Sequence, residues 1–71
     1  NPTTGQLFVR NAEDLEQFRI YNMLGQEVLL FQTASVSQMS LDVGSLNPGV
    51  YTILALDGDG QPQAKSKFVK N

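Results

Sequence analysis

Leu46-Asn47-Pro48-Gly49-Val50-Tyr51-Thr52-Ile53-Leu54-Ala55-Leu56 is the stretch that decides the fold. A turn signal opens directly onto eight residues rich in β-branched and aromatic side chains, the composition of a strand. Thr52 on the polar side turns Tyr51, Ile53 and Ala55 inward. Pro48-Gly49 suits the two central positions of a type II turn, where proline fixes the first φ and glycine accepts a positive second φ.

Outward from this strand, turn signals recur about every ten residues, the spacing of a sandwich or barrel. They lie at Asn1–Gly5, Asn11–Glu13, Asn22–Gly25, Thr33–Gln38, Gly44–Gly49 and Asp57–Pro62. Between them, Gln6–Arg10 turns Leu7 and Val9 to one face. Gln17–Tyr21 alternates with Phe18 and Ile20 inward and Arg19 outward. Met39, Leu41 and Val43 alternate with Ser40 and Asp42. Ala64–Lys70 is a closing strand with Phe68 as its core contact. The run Val28-Leu29-Leu30-Phe31 is dense enough for burial on both faces. Such alternation marks antiparallel sheets with one polar face. Gly25 fits the left-handed position that ends a type I turn and starts a bulge. Asp57-Gly58 and Asp59-Gly60 both suit a hairpin between the last two strands. Asn11 is also a candidate N-cap for a helix through Ala12–Glu16 toward Leu24, but Gly25 and the β-branched and aromatic residues favour strand.

The 71 residues, 41% of them apolar, make one small domain. Apolar content is too high and the net charge of −2 too small for a disordered tail. No apolar run reaches the roughly 18 residues of a membrane-spanning helix. There is no cysteine and no histidine. Disulfides, thiolate nucleophiles, Ser-His pairs and imidazole or thiolate zinc sites are therefore excluded. No catalytic residue is assigned, and the chain reads as a non-enzyme without cofactor. A sequence pI near 4.7 argues against a nucleic-acid partner. The chain starts at Asn1 rather than Met, as expected of a segment of a longer protein.

Other candidate chemistry is thin. Asp57 and Asp59, with Asp42, offer too few oxygens for calcium, which takes six to eight, so the Asp-Gly-Asp-Gly stretch reads as a turn and no metal site is assigned. Glu13, Asp14 and Glu16 read as a solvated surface. Lys65, Lys67 and Lys70 read as the charged outer face of an edge strand, or as a recognition tag. Met23 and Leu24 either tuck under the sandwich or stay exposed for a partner.

The ordered set of turns carries more than any one of them. Asn1-Pro2-Thr3-Thr4-Gly5 resembles the P-N-P-x-x-G opening of the C-terminal sorting domains of the type IX (Por) secretion system. Ile20-Tyr21-Asn22-Met23-Leu24-Gly25-Gln26-Glu27-Val28 is similar to that family's V/I-x-N/D-x-x-G-Q/R-x-V motif. Leu41-Asp42-Val43 followed by Leu46-Asn47-Pro48-Gly49-Val50-Tyr51 resembles its I-D-V-x-x-L-x-x-G-x-Y motif, and Lys67-Phe68-Val69-Lys70 its K-x-x-K ending. The resemblance covers nearly the whole chain.

It implies a small immunoglobulin-like antiparallel β-sandwich of about seven short strands, residues 1–71, closing an exported protein. It further implies recognition in the periplasm by the type IX machinery and transport of an upstream passenger domain across the outer membrane of a Bacteroidota cell. A sortase-like cysteine peptidase then cuts at or just upstream of the domain. The cargo stays at the cell surface on anionic lipopolysaccharide or is released. The sorting residues it implies are Asn1, Pro2, Gly5, Asn22, Gly25, Gln26, Val28, Asp42, Leu46, Gly49, Tyr51, Lys67 and Lys70. The last strand and the turns at Gly25 and Gly49 are expected to form the exposed signal face. The rival reading is a structural or carbohydrate-binding module of a surface protein, with Phe8, Phe31 and Tyr21 as its candidate aromatics. A free edge strand is also open to pairing with a second copy.

Overall fold

The computed structural model describes residues 2–3, 5–10, 12–33 and 37–71. Asn1, in the first motif, and Asn11, the candidate helix cap, lie outside the described residues. Among the described residues there are six strands of five to nine residues: β2 (Gln6–Arg10), β3 (Gln17–Tyr21), β4 (Glu27–Gln32), β5 (Gln38–Asp42), β6 (Gly49–Leu56) and β7 (Pro62–Lys70). A two-residue β1 (Pro2–Thr3) precedes them. The count of full strands is one below the sequence expectation.

The strands build two layers. One sheet has the order β1-β7-β6-β3-β4, and the other is the pair β2-β5. All pairs are antiparallel except β1 with β7, where Pro2 and Thr3 lie parallel to Val69 and Lys70. In immunoglobulin terms β3, β6 and β7 stand as strands C, F and G, β4 as C′, and β2 and β5 as B and E. The order follows from local chemistry. Tight turns join β3 to β4 and β6 to β7, so each pair is adjacent in one sheet. The segment 43–48 is longer and carries the chain from the small sheet to the large one.

Period-2 patterning decides what is buried. Phe18, Ile20, Tyr51, Ala55 and Phe68 face inward from the large sheet, and Leu41 faces them from β5, with Val43 just beyond its end. The core divides in two along its length. Phe18 and Leu41 meet Ala12 and Ala55 at one end, and Ile20 and Val43 meet Tyr51 and Phe68 at the other. Each large side chain so buried contributes about 1.5–3 kcal/mol relative to exposure.

One alternative falls away and two expectations change. Residues 12–24 contain no helix, in keeping with the strand reading favoured there. Ala12–Leu15 makes a single turn, with the Leu15 N–H donating to the Ala12 carbonyl at 3.0 Å, and β3 follows. The run in β4 is buried on one face only: Leu29 and Phe31 touch the core, whereas Val28 and Leu30 are exposed. The reason is that the large sheet packs on the β2-β5 pair with one face, and among the described residues nothing covers the other. The closing strand begins at Pro62, two residues earlier than the pattern suggested. Proline is tolerated there, at the first residue of an edge strand.

Candidate functional site

Asn22-Met23-Leu24-Gly25-Gln26 makes the β3–β4 turn. The Gly25 N–H donates to the Asn22 carbonyl, and the Asn22 N–H donates to the Gln26 carbonyl, each at 3.0 Å. Gly25 has φ +83°, and the β3–β4 register slips beside it, between Ile20 and Tyr21. This is the type I turn with bulge that the sequence suggests. The Asn22 side chain holds it closed. Its Oδ1 accepts from the N–H groups of Leu24 (2.9 Å) and Gln26 (3.0 Å), and its Nδ2 donates to Gln26 Oε1 (2.9 Å).

The β6–β7 turn, Asp57-Gly58-Asp59-Gly60-Gln61, repeats this geometry. Gly60 has φ +78°, and its N–H donates to the Asp57 carbonyl at 3.0 Å. Asp57 Oδ1 accepts from the N–H groups of Asp59 and Gln61, both at 2.9 Å. Asp57 Oδ2 accepts from Gln63 Nε2 at 2.8 Å. The shared spacing, Asn or Asp, two residues, then Gly-Gln, is visible in the sequence, but matching turn signals one at a time misses the repeat. The Gln61 N–H, helped by Gln63 and Asp59, holds the Asp57 carboxyl below the usual carboxylate range.

A lowered folded-state pKa gives a stabilisation that is present above the unfolded value, about 3.9, and is lost as pH falls through the lower folded one. Asp57→Asn keeps an Oδ1 acceptor without the titration. The wild-type chain is therefore expected to lose more of its thermal midpoint than Asp57→Asn when both are melted at pH 7 and then at about pH 2. Equal losses would remove Asp57 as an acid-sensitive group.

The two turns sit at opposite ends of the large sheet, because β3 and β6 run antiparallel. They also differ at their tips. Met23 and Leu24 are 81% and 83% exposed, whereas Gly58 and Asp59 offer water nothing apolar. Of the two alternatives left open for Met23 and Leu24, the exposed one holds.

The end that carries Met23 also carries the corner from β5 to β6. Asp42 Oδ1 accepts from the Gly44 N–H at 2.9 Å, and the Leu46 N–H donates to the Val43 carbonyl at 3.1 Å. The turn here is therefore Val43–Leu46. The expected type II turn at Pro48-Gly49 is absent: Gly49 opens β6 and does not have positive φ. Tyr51 Oη donates to the Asn47 carbonyl at 2.6 Å and its ring stacks on Phe68 at 5.6 Å. This matches the tyrosine corner of immunoglobulin-like sandwiches, near the start of strand F.

The two glycines therefore respond differently to substitution. Gly25→Val has open space for its side chain but forces a β-branched residue into a left-handed conformation, a loss of about 1–2 kcal/mol. Gly49→Ala meets only ordinary contact with the Tyr51 ring at 3.8 Å and is expected to stay within about 0.5 kcal/mol of wild type. Urea midpoints of the two variants check the contrast.

The basic stripe divides by parity. Lys65 and Lys67 are exposed on the outer face of β7, but Lys70 is buried, with 7% of its surface exposed. Its Nζ donates to the carbonyls of Leu46 and Asn71, both at 3.2 Å. The expectation of an exposed Lys70 is corrected: residues 65 and 67 face outward, so residue 70 faces inward and ties the last strand to the corner.

Sequence residues assigned to separate motifs thus meet at one end. The Gly5 carbonyl accepts from the Val43 N–H, Thr3 and Gly49 flank Lys70, and Leu46 binds its ammonium. Asn22, Gly25, Gln26 and Val28 lie around the neighbouring turn. On the outer face there, Tyr21, Thr52 and Lys67 stand side by side across three strands. Met23, Val50, Leu54 and Lys65 join them around a shallow groove of about 430 Å³. Arg19 and Glu27 form a half-exposed ion pair at 3.3 Å nearby, worth about 0–1 kcal/mol. Phe8, 75% exposed on β2, lies away from this groove. Glu13, Asp14 and Glu16 are exposed, and among the described residues no three acidic groups gather as metal ligands.

A family model described as "Secretion system C-terminal sorting domain" matches residues 1–71, the entire chain. Comparison with curated proteins and with solved structures gave no match.

Proposed function

Because the chain belongs to the family of secretion-system C-terminal sorting domains, we propose that it is the removable address of an upstream passenger. Membership makes it a sorting signal of the type IX (Por) system, a partner of that machinery, on a route to the outer membrane or cell surface. In the finer reading, the folded domain is recognised in the periplasm through one end of the sandwich. A sortase-like cysteine peptidase then cuts upstream of it, and the passenger is attached to anionic lipopolysaccharide or released. The domain performs no reaction of its own.

One observation supports this most: the motif residues collect at the end where Met23, Leu24 and Lys67 are exposed. Buried or capping residues there (Asn22, Gly25, Tyr51, Lys70) explain themselves by folding. Met23, Leu24 and Lys67 do not, because among the described residues no hydrogen bond or core contact requires an apolar turn tip or an exposed ammonium.

The test is a fusion of residues 1–71 behind a signal peptide and an inert fluorescent reporter, in a Bacteroidota host and in a secretion-deficient strain. Export in the competent strain alone supports the reading. Periplasmic retention in both strains, with the domain folded, overturns it. Exposed Phe8 favours the rival carbohydrate-binding module, which predicts saccharide binding that Phe8→Ala abolishes.

A further inference from the structure

On its outer edge β7 is paired at two of its nine residues. Pro2 and Thr3 pair with Val69 and Lys70, and from Pro62 to Phe68 the described residues give it a partner on the β6 side alone. Beside that open edge, between β7 and β2, runs a groove of about 370 Å³. Leu7, Val9, Ile53 and Ala55 are among its lining, and β7 borders it with Phe68 and the two lysines as well as with the small residues Ala64 and Ser66. The same strand turns Lys65 and Lys67 to the outer face.

The direction of β1 determines what can fill this space. Because β1 runs parallel to β7, each residue placed before Pro2 steps one residue back along the open edge. We propose that the polypeptide joined to Asn1 in the passenger-bearing protein continues β1 along β7 and fills the groove. This rests on the reading above that a passenger precedes the domain.

The register states the chemistry of that segment. Continuing back from Pro2 opposite Val69, the first and third residues before Asn1 stand opposite Lys67 and Lys65. The second and fourth stand opposite Ser66 and Ala64, over the groove. Apolar side chains suit the second and fourth positions, where β7 leaves room. Acidic or neutral ones suit the outward positions beside the two ammoniums. A covalently attached strand also outcompetes a free one, since tethering gives an effective concentration of about millimolar. The unpaired N–H and C=O groups of residues 62–68 are then satisfied within one molecule rather than by a second copy.

The test is amide hydrogen exchange on the 71-residue chain and on the same chain extended by the eight residues that precede Asn1 in the passenger-bearing protein. A third protein carries that extension with one glycine inserted before Asn1, which moves the residues set over the groove to the outward positions. Exchange across residues 64–68 is expected to slow at least tenfold in the extended chain, independent of protein concentration, and to return toward the unextended rate after the insertion. Amides shared by β3 and β6 serve as the reference and report that all three proteins are folded. Equal exchange with and without the extension overturns the proposal, as does slowing that appears only at raised concentration, which assigns the edge to a second copy. The readout does not involve export, so its failure leaves the sorting reading standing.

Discussion

Phe18→Ala is expected to leave the chain without a cooperative unfolding transition at 25 °C. Phe18 is 1% exposed and holds together the core end formed by Ala12, Leu41 and Ala55. Truncating a buried phenylalanine costs about 3–5 kcal/mol through lost burial and the cavity left behind. A domain of this size without disulfide or structural metal rarely has more than about 3–5 kcal/mol in total. The two quantities are of one size, so a single side chain decides folding. Phe18→Leu, which keeps most of the volume, is expected to fold with a loss of about 1–1.5 kcal/mol. Circular dichroism through a urea titration checks both. A Phe18→Ala transition as sharp as wild type would place the stabilising core elsewhere. In the fusion assay, the reporter on Phe18→Ala is expected to remain periplasmic, since the proposed reading has the machinery recognise a folded surface.

The second large effect separates two lysines that stand three residues apart. Lys67→Ala removes an exposed ammonium and is expected to stay within about 0.5 kcal/mol of wild type. Lys70→Met removes the donor to the Leu46 carbonyl from a buried site, and the cost is about 1–3 kcal/mol. Export is expected to fall in both, for different reasons. With Lys70→Met the loss follows the fraction unfolded and recovers at lower growth temperature. With Lys67→Ala it persists in a fully folded domain. The measurement is the exported fraction of the reporter beside the urea midpoint of the isolated chain. Unchanged export in Lys67→Ala would remove charge from the recognition face and leave Met23 and Leu24 as its basis.

The strands were legible in the sequence because their side chains alternate. In β3, β5 and β6 every inward residue read from period 2 is buried or half-buried. Two kinds of feature were not legible. One depends on layering: the apolar composition of β4 suits burial on both faces, but among the described residues nothing covers the outer face of the large sheet, which exposes Val28 and Leu30 as it does Val50 on the central strand β6. The other depends on where the chain turns within a loop. Pro48-Gly49 is a turn signal, yet Asp42 caps Gly44 two residues on, the turn forms at Val43–Leu46, and Gly49 is left to begin β6. The resemblance located the candidate residues but not their roles. Lys67 and Lys70 look equivalent in one dimension, and strand parity makes one a surface group and the other a buried tie. The sequence leaves two outcomes for the tip at Met23 and Leu24, because no pattern tells an apolar turn residue whether a wall stands beside it.

The pairing of Pro2 and Thr3 with Val69 and Lys70 has a consequence for timing. Contacts that join the first strand to the last have the largest sequence separation in the fold and the largest loop-closure cost. Any chain that stops before Phe68 lacks the partner of the Tyr51 ring, the donor to the Leu46 carbonyl and the neighbour of β1 together. The finished fold therefore certifies that the chain has been made through Lys70. Under the proposed reading, a receptor that accepts only this fold passes over any passenger whose chain broke off before β7, with no separate inspection step.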